Sequence, residues 1–117
     1  MHLTKRFSFE AAHNLINYKG KCANLHGHSY VLEVTVDGEP TQNGMIMDFY
    51  DVKKIVEEHV IEKLDHKYLN DIIEQSTAER ISLWIWNALY KTLPALYEIK
   101  LYETEDSWVS FRGPNAS

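Results

Sequence analysis

The chain has 117 residues, 44% hydrophobic and 25% charged, with one cysteine and a formal charge of −5. That size predicts one domain, residues 1–117, with a modest core. The negative balance without a basic patch argues against a nucleic-acid partner, and no window approaches the roughly 18 apolar residues of a membrane span. A lone cysteine cannot form an internal disulfide, and the first residues, Met1 to Ser8, lack the apolar run of a secretory signal. A reducing cytoplasm is therefore the expected setting.

Residues 2–13 read as a strand with Leu3, Phe7, Phe9, Ala11 and His13 on one face. Asn14 to Gly27 is a long connection for a hairpin, which marks it as functional. Residues 28–37 form a second strand, with Tyr30, Leu32, Val34 and Val36 on the side of His28. After a turn at Asp37–Pro40 and a short lead-in at Gly44–Met47, Asp48 is a good N-cap for a helix to about Leu64. Its apolar face comprises Phe49, Val52, Ile55, Val56, Val60 and Leu64, and His59 on that stripe reads as a packing residue. Asp65–Asp71 is a polar connection. Ser76 and Glu79 have capping-box spacing and open a second helix that carries Ile81, Trp84, Ile85, Ala88 and Leu89 inward. That helix runs to about Leu93 and is stopped by Pro94. Strands at Glu98–Thr104 and Ser107–Arg112 follow, linked at Glu105-Asp106. The order ββααββ predicts an α+β fold, a four-stranded antiparallel sheet with both helices on one face. Its exposed edges invite pairing with another subunit.

The chemistry gathers in Lys21–Tyr30. His26 and His28 are separated by one residue, so on a strand they project from one face and can reach one ion. Gly27 between them leaves room for close approach of backbone or ligand. If the first two strands pair antiparallel, His13 meets them as a third ligand, the number that catalytic zinc usually takes from protein. Imidazoles suit zinc without excluding iron, nickel or copper. Cys22 either closes the site as a fourth ligand or stands beside the metal as nucleophile or base, where a cation favours the thiolate. Asp65-His66 is a carboxylate–imidazole pair of the kind that relays protons, although a helix C-terminal histidine is the plainer reading. Glu103 shares a strand face with apolar Leu101, so it needs a partner with paired N–H donors.

These segments together resemble the 6-pyruvoyltetrahydropterin synthase family along essentially the whole chain. The resemblance runs through Phe9-Glu10-Ala11-Ala12-His13, Cys22-x3-His26-Gly27-His28 and Gly44-Met45-Ile46-Met47-Asp48-Phe49. It continues through Leu64-Asp65-His66, Thr77-x-Glu79 and Glu103-Thr104. It implies a tunnelling fold that oligomerises into a barrel, as trimers stacked into a hexamer with active sites shared between subunits. It implies zinc on His13, His26 and His28, and Cys22 as base rather than ligand. Asp65 and His66 would complete the proton relay, Glu103 would anchor a pterin ring, and Thr77 and Glu79 would contact substrate. Three residues between Cys22 and His26 resemble the bacterial 6-carboxytetrahydropterin synthases of queuosine biosynthesis; the pyruvoyl-forming branch usually carries five. The implied reaction takes dihydroneopterin triphosphate to 6-carboxytetrahydropterin, acetaldehyde and triphosphate through a retro-aldol-like cleavage. The alternatives are triphosphate elimination by the pyruvoyl branch and, from another class, a zinc-stabilised binding module. Ser76 replaces a proline often found before Thr77, and as an N-cap it is expected to be harmless.

Overall fold

Two long alternating segments set the frame, and a computed structural model describes residues 1–114 of it. In chain order the elements are β1 (His2–His13), β2 (His26–Asp37), α1 (Phe49–Val56), a π-helical stretch (Glu57–Ile61) and α2 (Glu62–Leu64). Then come β3 (Lys67–Tyr68), α3 (Ala78–Leu89), β4 (Leu96–Thr104) and β5 (Ser107–Phe111). β1 and β2 pair antiparallel over their full length, from His2 opposite Asp37 to His13 opposite His26. Alternation puts Phe9, Ala11 and His13 on the same face as Tyr30, Leu32, Val34 and Val36, all of them buried. β2 pairs with β4, and β4 with β5, both antiparallel. Ile99 and Leu101 of β4 complete the sheet's share of the core.

The sheet has five strands, in the order β3-β1-β2-β4-β5, rather than the expected four. β3 pairs parallel with β1 through Ala11–Lys67 and Ala12–Tyr68, within the segment read as a polar connection. Two residues leave no alternation to read. The strand is fixed instead by the free edge of β1, where the His66 N–H donates to the Glu10 carbonyl at 2.6 Å. β2 and β4 each begin two residues earlier than expected, because pairing with a neighbour extends them beyond their own alternating cores.

The first helical rod explains its own irregularity. Val52, Val56, Val60 and Leu64 are spaced by four, and all are fully buried. At 3.6 residues per turn, such a stripe drifts about 40° around a straight helix with every step. The π-helical stretch is wound more widely and turns Val60 and Leu64 back towards the sheet. Asp48 caps the rod as expected, its carboxylate accepting from the Tyr50 N–H at 2.8 Å. Phe49, assigned to the apolar stripe, lies outside it and is 55% exposed.

The second helix starts one residue later than the capping-box spacing suggests. Thr77 is the N-cap, its hydroxyl accepting from the Arg80 N–H at 3.2 Å, and Ser76 is fully buried. The helix ends at Leu89 rather than Leu93, and Thr92 Oγ1 donates back to the Leu89 carbonyl. A hydroxyl that competes for helix carbonyls favours this early release. Leu93 still fills the core from the following turn.

If Thr77 is the cap, Thr77→Ala should cost about 0.5–2 kcal/mol in chemical denaturation and Thr77→Ser only a fraction of that. Equal losses for the two variants would assign the cap elsewhere.

Candidate active site

The register of the long hairpin assembles the histidine cluster. His13 lies directly opposite His26, and His28 opposite Ala11 two positions back, so all three rings leave the helix-covered face at one end of the sheet. Their centroids are 4.6, 4.9 and 5.1 Å apart, and one donor atom from each falls within 4.8 Å of the others. Gly27 permits the packing of the two strands here: a Cβ on it would stand 3.3 Å from the Ala11 carbonyl oxygen.

Two of the rings are oriented by backbone carbonyls. His13 Nδ1 donates to the Ser76 carbonyl and His26 Nδ1 to that of Asn24, each at 2.7 Å. These bonds set the tautomer and leave Nε2 with its lone pair, which is how metal-binding histidines are usually held. His28 Nε2 is the telling atom. It is buried without a hydrogen-bond partner, the only such side-chain atom among the described residues, and the nearest carboxylate oxygen, on Glu103, is 3.6 Å away. Leaving a buried polar atom unmet costs about 1–3 kcal/mol, which a metal ion would relieve. Burial lowers the His28 imidazole below its ordinary value, outweighing the Glu103 carboxylate, and His13 and His26 push it further down. The ring is thus neutral and ready to ligate near pH 7. The donor set fits a divalent ion that accepts imidazole nitrogen.

A cavity of about 350 Å³ opens beside His13 and brings together most of the residues singled out in the sequence. Cys22, Thr77, Glu79 and Glu103 line it, with Trp108 on the β5 side. Cys22 is a half-buried free thiol that shares the cavity but does not join the group of metal donors. Glu103 is aimed by a bulge. Pairing passes from Tyr102–Trp108 to Thr104–Ser107, which leaves Glu103 as the extra residue. Tyr30 packs beneath the histidines, its hydroxyl 3.4 Å from His13 Nε2, and burial raises its phenol well above the ordinary range.

Asp65 and His66 are not brought to this cavity. They lie at the β3 edge, where His66 lines a separate cleft of about 560 Å³ with Glu10, Ser29 and Tyr68. The two cavities share no lining residue. Asp65 Oδ2 is 3.0 Å from His66 Nδ1, and its Oδ1 accepts from the Glu10 N–H at 2.9 Å. That backbone N–H, and then His66, hold the carboxyl below its usual range. His66 has φ of +58°, a left-handed conformation uncommon outside glycine, at the exit from α2. His59 is half-buried and does not join the histidine cluster.

Sequence reasoning missed the supporting residues Asn70, Gln75 and Ser76. Ser76 is fully buried, its carbonyl on His13 and its hydroxyl 2.9 Å from Asn70 Oδ1. Polar residues before a helix look like ordinary capping residues, so no local pattern distinguishes this use.

A sheet backed by helices on one face, with three histidines at the end of its long hairpin, defines an α+β protein of the tunnelling fold with a candidate metal site. The chain belongs to the 6-pyruvoyl tetrahydropterin synthase family, whose model matches residues 2–114. A 6-pyruvoyl tetrahydrobiopterin synthase of Dictyostelium discoideum is 41% identical over 128 aligned positions, covering 95% of each chain. A putative 6-carboxy-5,6,7,8-tetrahydropterin synthase of Archaeoglobus fulgidus is 42% identical over 105 positions, covering 90% of each. The solved structure of Caenorhabditis elegans 6-pyruvoyl tetrahydropterin synthase superposes with a TM-score of 0.88 at 27% identity, covering 97% of this chain and 96% of that one.

Metal-free protein titrated with zinc against a chromophoric chelator should take up one ion per chain. His28→Ala should weaken uptake by more than the roughly 10–100-fold that loss of a supporting hydrogen bond costs. Unchanged affinity in that variant would remove His28 from the site.

Proposed function

We infer that this protein is a zinc-dependent carbon–carbon lyase of the family. It converts 7,8-dihydroneopterin triphosphate and one water to 6-carboxy-5,6,7,8-tetrahydropterin, acetaldehyde and triphosphate, a step that supplies queuosine biosynthesis in the cytoplasm. The observation that carries the reading is the three-histidine cluster, whose His13 lines one cavity with Cys22 and Glu103. For the choice of branch, the support is the spacing of three residues between Cys22 and His26. The A. fulgidus relative aligns at 42% identity and the D. discoideum relative at 41%. The pyruvoyl-forming reaction is the second reading, favoured by the equal identity of that relative.

Each residue then has a role that follows from its chemistry. His13, His26 and His28 hold the zinc, which when bound supplies Lewis acidity towards the hydroxyls of the substrate side chain. Glu103 accepts two hydrogen bonds from the amino-pyrimidinone edge of the pterin and so fixes the ring. Thr77 and Glu79 contact the substrate from the cavity wall. Cys22, as thiolate, takes a proton from the side chain, and its place outside the donor cluster suits a base better than a structural ligand. His66, oriented by the Asp65 carboxylate, returns and removes protons.

That last role requires assembly. His66 lines a different cleft from Cys22, so the complete site is formed when the His66 edge of one subunit meets the Cys22 cavity of another. A hexamer of two stacked trimers, with active sites between subunits, supplies that arrangement.

Product analysis is the direct test. Zinc-loaded protein given dihydroneopterin triphosphate should release acetaldehyde in step with triphosphate. Cys22→Ala and His66→Ala should each lose roughly 10²–10⁴-fold in rate. Co-refolding the two inactive variants should restore about a quarter of the sites if each site draws Cys22 and His66 from different subunits. Triphosphate without acetaldehyde would move the protein to the pyruvoyl branch. No turnover, with zinc bound and Cys22 closed to alkylation, would leave a binding module.

A further inference from the structure

The turn that carries Cys22 has little to hold it in place. Lys21–Ala23 is a single turn of 3₁₀ helix with no buried residue, so packing does not fix its position. Its backbone bonds Ala23 N–H to Gly20 carbonyl and Asn24 N–H to Lys21 carbonyl are internal to the turn. Among the described residues, two hydrogen bonds tie the turn and its cap to the rest of the chain: His26 Nδ1 to the Asn24 carbonyl, at 2.7 Å, and the Leu15 N–H to the Cys22 carbonyl, at 2.8 Å. Only the second is made to Cys22 itself, so the position of Cys22 depends on that of Leu15.

Leu15 is held from both sides by side-chain amides. Asn70 binds both backbone groups of Asn14, its Oδ1 accepting from the N–H at 3.0 Å and its Nδ2 donating to the carbonyl at 2.8 Å. Gln75 does the same to Ile16, with Oε1 accepting at 2.8 Å and Nε2 donating at 3.1 Å. Residues 14 and 16 thus turn their backbone groups towards the segment before α3, and residue 15 turns its N–H the other way, to Cys22. This is the alternation of a strand, with two amide side chains in place of a neighbouring chain. The next residue, Ser76, supplies the carbonyl that orients His13. One short segment therefore orients a histidine of the metal cluster and holds the thiol loop.

We propose that Gln75 is the positioning residue for Cys22: its paired hydrogen bonds to Ile16 hold Leu15, and through Leu15 the Cys22 turn, at the edge of the cavity. Asn70 performs the same function on Asn14 but also bonds Ser76 and the Glu74 carbonyl, so its loss would disturb His13 as well. Gln75 makes hydrogen bonds to Ile16 alone, which makes it the cleaner probe. The inference about turnover rests on Cys22 acting as base; the inference about geometry does not.

The test compares Gln75→Leu, which keeps the bulk and removes both bonds, with Gln75→Glu, which keeps the acceptor and loses the donor. Three readouts are taken on zinc-loaded protein: exchange of the Leu15 and Ile16 amides, the rate of Cys22 alkylation by iodoacetamide, and steady-state kinetics. Gln75→Leu should retain its zinc, speed exchange of both amides about tenfold or more, and speed alkylation several-fold. The kcat should fall about 10-fold to 100-fold while KM moves less than about threefold, as expected when a reacting group is displaced with binding intact. Gln75→Glu should fall between Gln75→Leu and the parent in all three. Unchanged exchange and alkylation in Gln75→Leu would overturn the proposal. Should Gln75→Leu fail to fold, Gln75→Glu with parental exchange and alkylation would overturn it equally. If the parent itself does not turn over, the base role of Cys22 fails, while exchange and alkylation still decide the role of Gln75.

Discussion

Everything at the candidate active site depends on the register of one hairpin. Twelve residues of β1 face twelve of β2 without interruption, and the last pair is His13 with His26. Because side chains alternate across a sheet, a slip of one residue would send a strand's whole set to the opposite face. The same ladder that stacks Phe9 on Tyr30 at 5.0 Å carries His13 and His28 onto the face they share. Core packing and the histidine cluster are thus one constraint. The register that buries the apolar side chains is the one that gathers the imidazoles, so the candidate metal site is built on a strongly specified part of the fold.

The end of the sheet where the histidines emerge is polar and yet largely enclosed, and its hydrogen bonding reflects that. Buried polar groups need partners. Around this site the partners come from the short segment between the first helical rod and α3. Ser76 meets His13, Asn70 meets both Asn14 and Ser76, and Gln75 meets Ile16. The amides rigidify a loop that has no strand to pair with. His28 Nε2 is the exception, a buried nitrogen left unmet where three imidazoles converge. A ligand to that atom is what the surroundings lack.

The two cavities divide the chemistry. The cavity with the thiol and carboxylates lies beside His13, and the Asp65–His66 pair is held against the free edge of β1 by two hydrogen bonds to the backbone of Glu10. A carboxylate fixed by a backbone N–H and paired with an exposed imidazole on a strained backbone is an arrangement the fold maintains against local cost. Its position at an edge presents it outwards, with the imidazole largely exposed.

The sequence by itself determined the main elements, because their signals are periodic and local: two alternating strands, a capped helix of period near 3.6, and histidines at strand spacing. Its motif set also determined the family. Ordinary strand pairing makes His13 the expected third ligand. The tertiary structure alone decided what depends on partners remote in the chain. The β3 strand exists because β1 has a free edge, and Thr77 rather than Ser76 caps α3 because Ser76 is drawn under His13. The π-helical stretch follows from the sheet's demand on four residues spaced by four. Likewise, Asn70 and Gln75 are unremarkable polar residues in sequence; only folding brings their amides to the backbone of residues 14 and 16, and hydrogen bonds between segments nearly sixty residues apart leave no local trace.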